Sequence, residues 1–230
     1  MRFLIGLALI PVLLWLFVVV AIPSEVVRYR LTLMAEVSGQ PVAGSGVIEV
    51  KQEDTTRVFG SMGGVGHEVH GEAVTLDLGT RGMLFALLQG NRVGLSEGDG
   101  FPGHVLLQVF GNRPTPRSSV LETMRTLKKE RPRAVLPRQY YPMLVRFRDI
   151  NDPTSVEQVD PSDLARYFGP GVGPLNAVIE VTNAAVTTGI ERRLDWLGDV
   201  RKRGGALDGS RSSFSNELKN RLGALSFQRQ

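Results

Sequence analysis

The chain contains no cysteine. That excludes a disulfide scaffold, a thiol nucleophile and a lipid carried on an N-terminal cysteine. It does not decide the compartment, because a body of roughly 200 residues buries enough surface to stand without cross-links or metal. Histidine is scarce, at three residues, and the Gly-x-Ser-x-Gly elbow of serine hydrolases is absent. No Gly-Lys-Ser/Thr follows the glycine cluster at residues 60–66, so a phosphate-cradling loop is excluded there. The body also lacks the interleaved arginines and aromatics of a nucleic-acid surface, and no nucleic-acid partner is expected. There is no internal repeat.

What is present begins with an oily front. Residues 3–22 form an uninterrupted uncharged run of twenty, FLIGLALIPVLLWLFVVVAI. At about 1.5 Å per residue a helix of that length crosses a hydrocarbon core of about 30 Å. A cleavable signal usually has a shorter apolar stretch and a small-x-small site, and Val19-Val20-Ala21 fits that poorly. Pro11 is tolerated within lipid, and Pro23 offers a helix stop. The expectation is a retained anchor over residues 1–24, in contact with membrane lipid. Orientation from charge is close to a tie, with Arg2 before the run and Arg28 and Arg30 after it. The expected placement is the bacterial inner membrane, single-pass, with the body facing the periplasm.

The remainder is 42% hydrophobic and 22% charged over the whole chain, ordinary for a globular protein. The net charge of +4 is uneven. Residues 113–148 carry ten Lys/Arg against two Glu, and residues 192–230 carry nine against four acids. Such blocks suit anionic headgroups or a protein partner, or are simply solvated.

Residues 28–37 (RYRLTLMAEV) alternate, placing Tyr29, Leu31, Leu33, Ala35 and Val37 on one strand face. Residues 46–51 are a second strand, joined to the first as an antiparallel hairpin by a loose connection. GEAVTLDL (71–78) alternates again, while MLFALL (83–88) and HVLLQVF (104–110) read equally as strand or short helix. SSVLETMRTLKKER (118–131) has helical spacing, with Ser119 and Glu122 as a capping box. PMLVRFRDI (142–150) reads as a strand, and DPSDLARYFGPG (160–171) as a short helix capped by Asp160. NAVIEVTN (176–183) is the last strand, and residues 188–203 a helix with a Thr188–Glu191 capping box. The pattern implies α+β, mostly antiparallel sheet with two or three helices. The expected domains are the anchor at 1–24, one α+β extracytoplasmic body at 25–203, and a polar linker with an amphipathic tail (Phe214, Leu218, Leu222, Leu225) at 204–230.

The stretches YPMLVRF, NDPTSVEQVDPSDLARYFGPGV, VTTGIERRLDWL and LDGSR resemble a family of uncharacterised bacterial exported or membrane-anchored proteins with no assigned function. GEAVTLDLG and RGMLFALL are similar to that family's first half, so the resemblance covers most of residues 29–211. It implies an N-terminal signal or anchor and an extracytoplasmic body, and no activity. Some members begin with a lipid-modified cysteine; lacking one, this chain's tether is expected to be the apolar helix. The segments at 61–66 and 113–138 have no counterpart in that pattern.

Two constellations invite a chemical reading. His67 and His70, with Glu68 and Glu72, have metal-ligand residue types, but His-x-x-His on a strand sends the rings to opposite faces. The alternative to convergence is a hydrophilic hairpin loop, and a third ligand would have to come from His104 or a distant aspartate. Asp149, Asp152, Asp160 and Asp163 are spaced like general acid–base or calcium ligands, yet Pro153 breaks the calcium template and turn-forming or capping roles suit them. Trp196 is expected to pack in the core. No catalytic, cofactor or metal residue is assigned. The expected function is a non-catalytic binding or structural module of the envelope with a possible envelope protein partner, its interaction surfaces being the basic helix at 125–131 and the C-terminal stretch. The alternative is an envelope hydrolase or metal-dependent enzyme using the His67/His70 and Asp149/Asp152 regions.

Overall fold

The computed structural model describes residues 22–56, 60–90, 101–111, 118–211 and 217–229. The apolar run expected as an anchor lies outside them except for its last residue, as do Phe214 and the side chain of Ser119. Among the described residues no helix is long and apolar enough to cross a membrane.

The described chain is α+β and its strand pairs are antiparallel. It opens with two long strands, β1 (Ser24–Val37) and β2 (Gln40–Asp54), paired from Ser24↔Glu53 to Val37↔Gln40. The connection is tight rather than loose: Ser38 and Gly39 both have positive φ, 53° and 79°. Two left-handed residues match the twist of the flanking strands, so pairing runs right into the turn. Alternation along β1 is as the spacing predicts, with Val27, Tyr29, Leu31, Leu33 and Ala35 buried.

β3 (Val65–Glu72) joins β2, and after Ala73 the chain passes to β4 (Val74–Asp77) in a second sheet. Residues 83–88 resolve as strand, β5 (Met83–Gly90), and residues 105–110 as helix α1 (Val105–Phe110). Helix α2 (Ser118–Glu130) buries Leu121, Met124 and Leu127, as its spacing predicts. Then come β6 (Arg133–Val135), β7 (Pro142–Phe147), β8 (Val156–Gln158), helix α3 (Leu164–Phe168) and β9 (Asn176–Thr182). The chain finishes with α4 (Leu197–Arg203), α5 (Leu218–Arg221), α6 (Ala224–Phe227) and β10 (Gln228–Arg229). The six-stranded sheet has the order β10-β3-β2-β1-β9-β6, the four-stranded sheet β4-β5-β7-β8.

One core lies between the sheets and under α2, joining Leu31, Leu33 and Ile48 to Leu76, Leu84, Leu88, Leu144 and Met124. A second lies on the far face of the smaller sheet, where Phe85, Leu87, Val145 and Phe147 meet Leu194, Leu197, Leu222 and Phe227. β2 crosses β4 at Gly44, where a Cβ would lie 2.0 Å from the Thr75 carbonyl oxygen. Only glycine permits that approach.

Several expectations need correction. Six α-helical segments appear instead of two or three, most of them one or two turns long. Asp160 does not cap α3; Asp163 does, its Oδ1 accepting from Arg166 N at 3.2 Å. The Thr188–Glu191 box does not form: Gly189 precedes a 3₁₀ turn at Ile190–Arg192, and the helix starts only at Leu197. The reason is tertiary, because Ile190 N donates to the buried Glu72 carboxylate at 2.7 Å. The described part of 204–230 is no loose linker or free amphipathic tail. Ala206, Leu207, Leu222, Ala224 and Phe227 are buried, and β10 pairs with β3. Of the expected apolar stripe, Leu222 is buried while Leu225 is exposed, because the chain breaks into two single turns around Gly223.

Candidate functional site

His67 and His70 sit in β3, not in a loop, and point to opposite faces as strand alternation requires. His67 lies opposite Gln52, which is fully buried on the core side. Its ring meets His104 edge to face with centroids 4.9 Å apart. Gln52 Nε2 donates to the Gly103 carbonyl at 2.9 Å, and a Cβ on Gly103 would fall 2.2 Å from the His67 ring. Nearby, buried Asp54 accepts from both Thr56 N and Thr56 Oγ1. The folded chain thus brings His104 to His67, as a buried polar knot at the β1 start of the molecule. Among the described residues no group of three His, Cys, Asp or Glu is placed to hold a metal ion.

His70 faces outward, 3.1 Å from Glu68 Oε1. Hydrogen bonding from His70, helped by its charge and that of Lys51, holds the Glu68 carboxyl below the usual range against a small opposing effect of burial. The hydrogen bond to Glu53 in turn raises Lys51. In the next row Arg28 binds Glu49 at 2.6 Å. This open face of the large sheet is a lattice of cross-strand ion pairs between exposed or half-exposed partners, each contributing little to stability.

The aspartates make local turns. Asp149 Oδ1 accepts from Asn151 N at 2.9 Å, and Asp152 Oδ1 accepts from Thr154 N and Oγ1 at 2.8 and 2.7 Å. Asp160 does the same with Ser162 N and Oγ, at 2.8 and 2.6 Å. These hydrogen bonds favour the ionised form and draw both the Asp152 and Asp160 carboxyls below the ordinary range. The Asp149–Ser155 loop belongs to the small sheet and packs against Trp196, whose Nε1 donates to the Ile150 carbonyl at 2.8 Å. The histidines belong to the large sheet, so the two regions of the enzyme alternative stand on different sheets.

A feature with no signature in the sequence lies where β3 meets the C-terminal strand. Glu72 is only 4% exposed. Its Oε2 accepts from Ile190 N and its Oε1 from Gln228 Nε2, both at 2.7 Å. Those partners are 118 and 156 residues away in sequence, which is why no local pattern announces them. Beside this latch is a groove of about 230 Å³ lined by Arg28, Glu49, His70, Glu72, Thr188 and Gln228, among others. Cations and carboxylates are mixed there, with the buried Gln228 Oε1 receiving no donor from the described residues. Such a lining suits recognition of a small polar group; its one imidazole is engaged with Glu68 and its buried carboxylate already holds two donors.

No protein-family model, curated protein or solved structure matches the chain.

Proposed function

We propose that the chain is a single-pass, bilayer-tethered envelope protein whose α+β body faces the periplasm and acts by binding rather than by catalysis. The observation that carries this reading is how the reactive-looking side chains are employed. Asp149, Asp152, Asp160 and Asp163 hold backbone turns, His70 holds Glu68, and Glu72 holds two distant segments. A general base must have a free lone pair within about 3 Å of the proton it takes. Groups already committed to folding are poor candidates for that task. The twenty-residue apolar run supports the tether, and the resemblance to exported or anchored bacterial proteins supports the side of the membrane. The groove beside Glu72 and the basic surface of α2 are the surfaces on which a partner or ligand would be met.

The test is a fusion of a compartment-dependent reporter phosphatase to the C-terminus, with alkaline extraction of the membranes. An active reporter that resists extraction agrees with the reading. A reporter active only in the cytoplasm, or a body recovered free of membrane, overturns it. The enzyme alternative makes a separate demand: a hydrolytic or metal-dependent activity of the purified chain would have to fall on His67→Ala or Asp152→Ala while the fold persists.

A further inference from the structure

We infer that the body stands directly on the bilayer, with the β2–β3 loop around Met62 resting in the lipid headgroup layer and the Ser38–Gly39 turn at the far end. This rests on the tether reading above and assigns it a lipid-facing surface. The apolar run ends at Ile22, and β1 begins at Ser24. Two residues span at most about 7 Å, so no linker separates the hydrocarbon from the first strand pair. The junction is fastened as well: Asp54 N donates to the Pro23 carbonyl at 3.0 Å, and Ser24 pairs with Glu53.

That end of the sheet is therefore held at the level of the headgroups, a zone about 5–10 Å deep. The β2–β3 loop leaves from the same end. Thr55 N donates to the Gly64 carbonyl at 2.9 Å, closing the loop immediately beyond the Asp54↔Val65 pair. At its tip Met62 is 93% exposed, the most exposed large apolar residue described. A lone exposed methionine is ordinary on a surface washed by water. At the point where the chain enters lipid it is a flexible apolar side chain in the layer that accepts one. Arg125, held at 2.5 Å to Glu25, places an exposed guanidinium at the same level, where anionic headgroups lie. The opposite turn is 14 residues along β1, about 45 Å away at strand spacing.

The absence of native cysteine allows a direct test. The full chain carrying Met62→Cys, or in a second preparation Gln40→Cys, is labelled with an environment-sensitive fluorophore and reconstituted in phosphatidylcholine/phosphatidylglycerol vesicles. Headgroup spin-labelled lipid is the quencher, and flotation is scored in parallel. The expected result is flotation of both chains, with label 62 quenched several-fold more than label 40. Equal quenching in floating vesicles overturns the inference and leaves the tether standing. Failure to float overturns the tether itself, and the inference with it. Because the vesicles hold no other protein, only lipid can give the difference.

Discussion

The two faces of the four-stranded sheet are covered in opposite ways. Its inner face packs on the large sheet, whose β1 and β2 are 14 and 15 residues long and paired without interruption. Its outer face is covered by the C-terminal chain, in which no helix exceeds the seven residues of α4. The first core follows from alternation, since each strand commits every second residue to one side. The second is assembled from point fastenings. Trp196 donates to Ile150, Leu207 N donates to the Leu222 carbonyl at 2.8 Å, and Glu72 ties Ile190 to Gln228. Phe147, Trp196 and Phe227 stack with centroids 5.3 to 5.9 Å apart. Periodic chain buries apolar surface by repetition; aperiodic chain does so by a few long-range polar contacts around an aromatic knot.

The largest expected effects are core truncations that separate the two regions. Phe227→Ala removes a fully buried ring from the second core and is expected to destabilise by about 3–5 kcal/mol, and Leu33→Ala in the first core by about 2–5. Urea unfolding followed by Trp196 fluorescence measures both, and limited proteolysis distinguishes them. Phe227→Ala is expected to expose residues 204–229 to cleavage before the sheets open, whereas Leu33→Ala opens the whole body together. Identical cleavage patterns would remove the distinction between the cores.

Next in size is the latch. Glu72→Ala leaves Ile190 N and Gln228 Nε2 without their acceptor, at about 1–3 kcal/mol for each buried donor stranded. Glu72→Gln retains a carbonyl oxygen and is expected to lose about half as much, measured in the same urea series. The hairpin turn sharpens the contrast from the regular side. Gly39→Ala places a Cβ at φ 79° and is expected to cost about 1–2 kcal/mol, seen as a lower melting temperature with both cores affected alike.

The smallest effect is acid sensitivity. The Asp152, Asp160 and Asp208 carboxyls are held low by hydrogen bonds from Thr154, Ser162 and Ser210. Their folded values lie below the unfolded value of about 3.9, so their contribution is complete above that pH. It is lost as pH falls through the folded values. Melting temperature is therefore expected to decline below about pH 4, with a shallower decline in Asp152→Asn/Asp160→Asn, which keeps the turns but not the charge.

Legibility along the chain tracks the same division. The alternation of Tyr29, Leu31 and Leu33, the stripe Leu121, Met124 and Leu127, and the separation of His67 from His70 onto two faces all follow from period alone. The capping of α3 misleads by one turn because Asp160 and Asp163 are both good caps, and the Asp160 carboxylate binds Ser162 first. The stretch after Thr188 has a helical stripe, and Ile190, Leu194 and Leu197 are indeed buried, but they are buried through a 3₁₀ turn and a short helix. The latch at Glu72 and the meeting of His67 with His104 have no local correlate at all.

The sequence by itself determined an α+β body with a long leading hairpin, the helix α2, and the turn-forming use of its aspartates. These depend on residues a few positions apart, where backbone geometry and side-chain period act directly. Only the tertiary structure decided that β3 leaves one sheet as β4 enters the other, that the last quarter of the chain closes a second core, and that Glu72 fastens both. Those outcomes depend on contacts across more than a hundred residues, where the burial of one segment overrides the local preference of another.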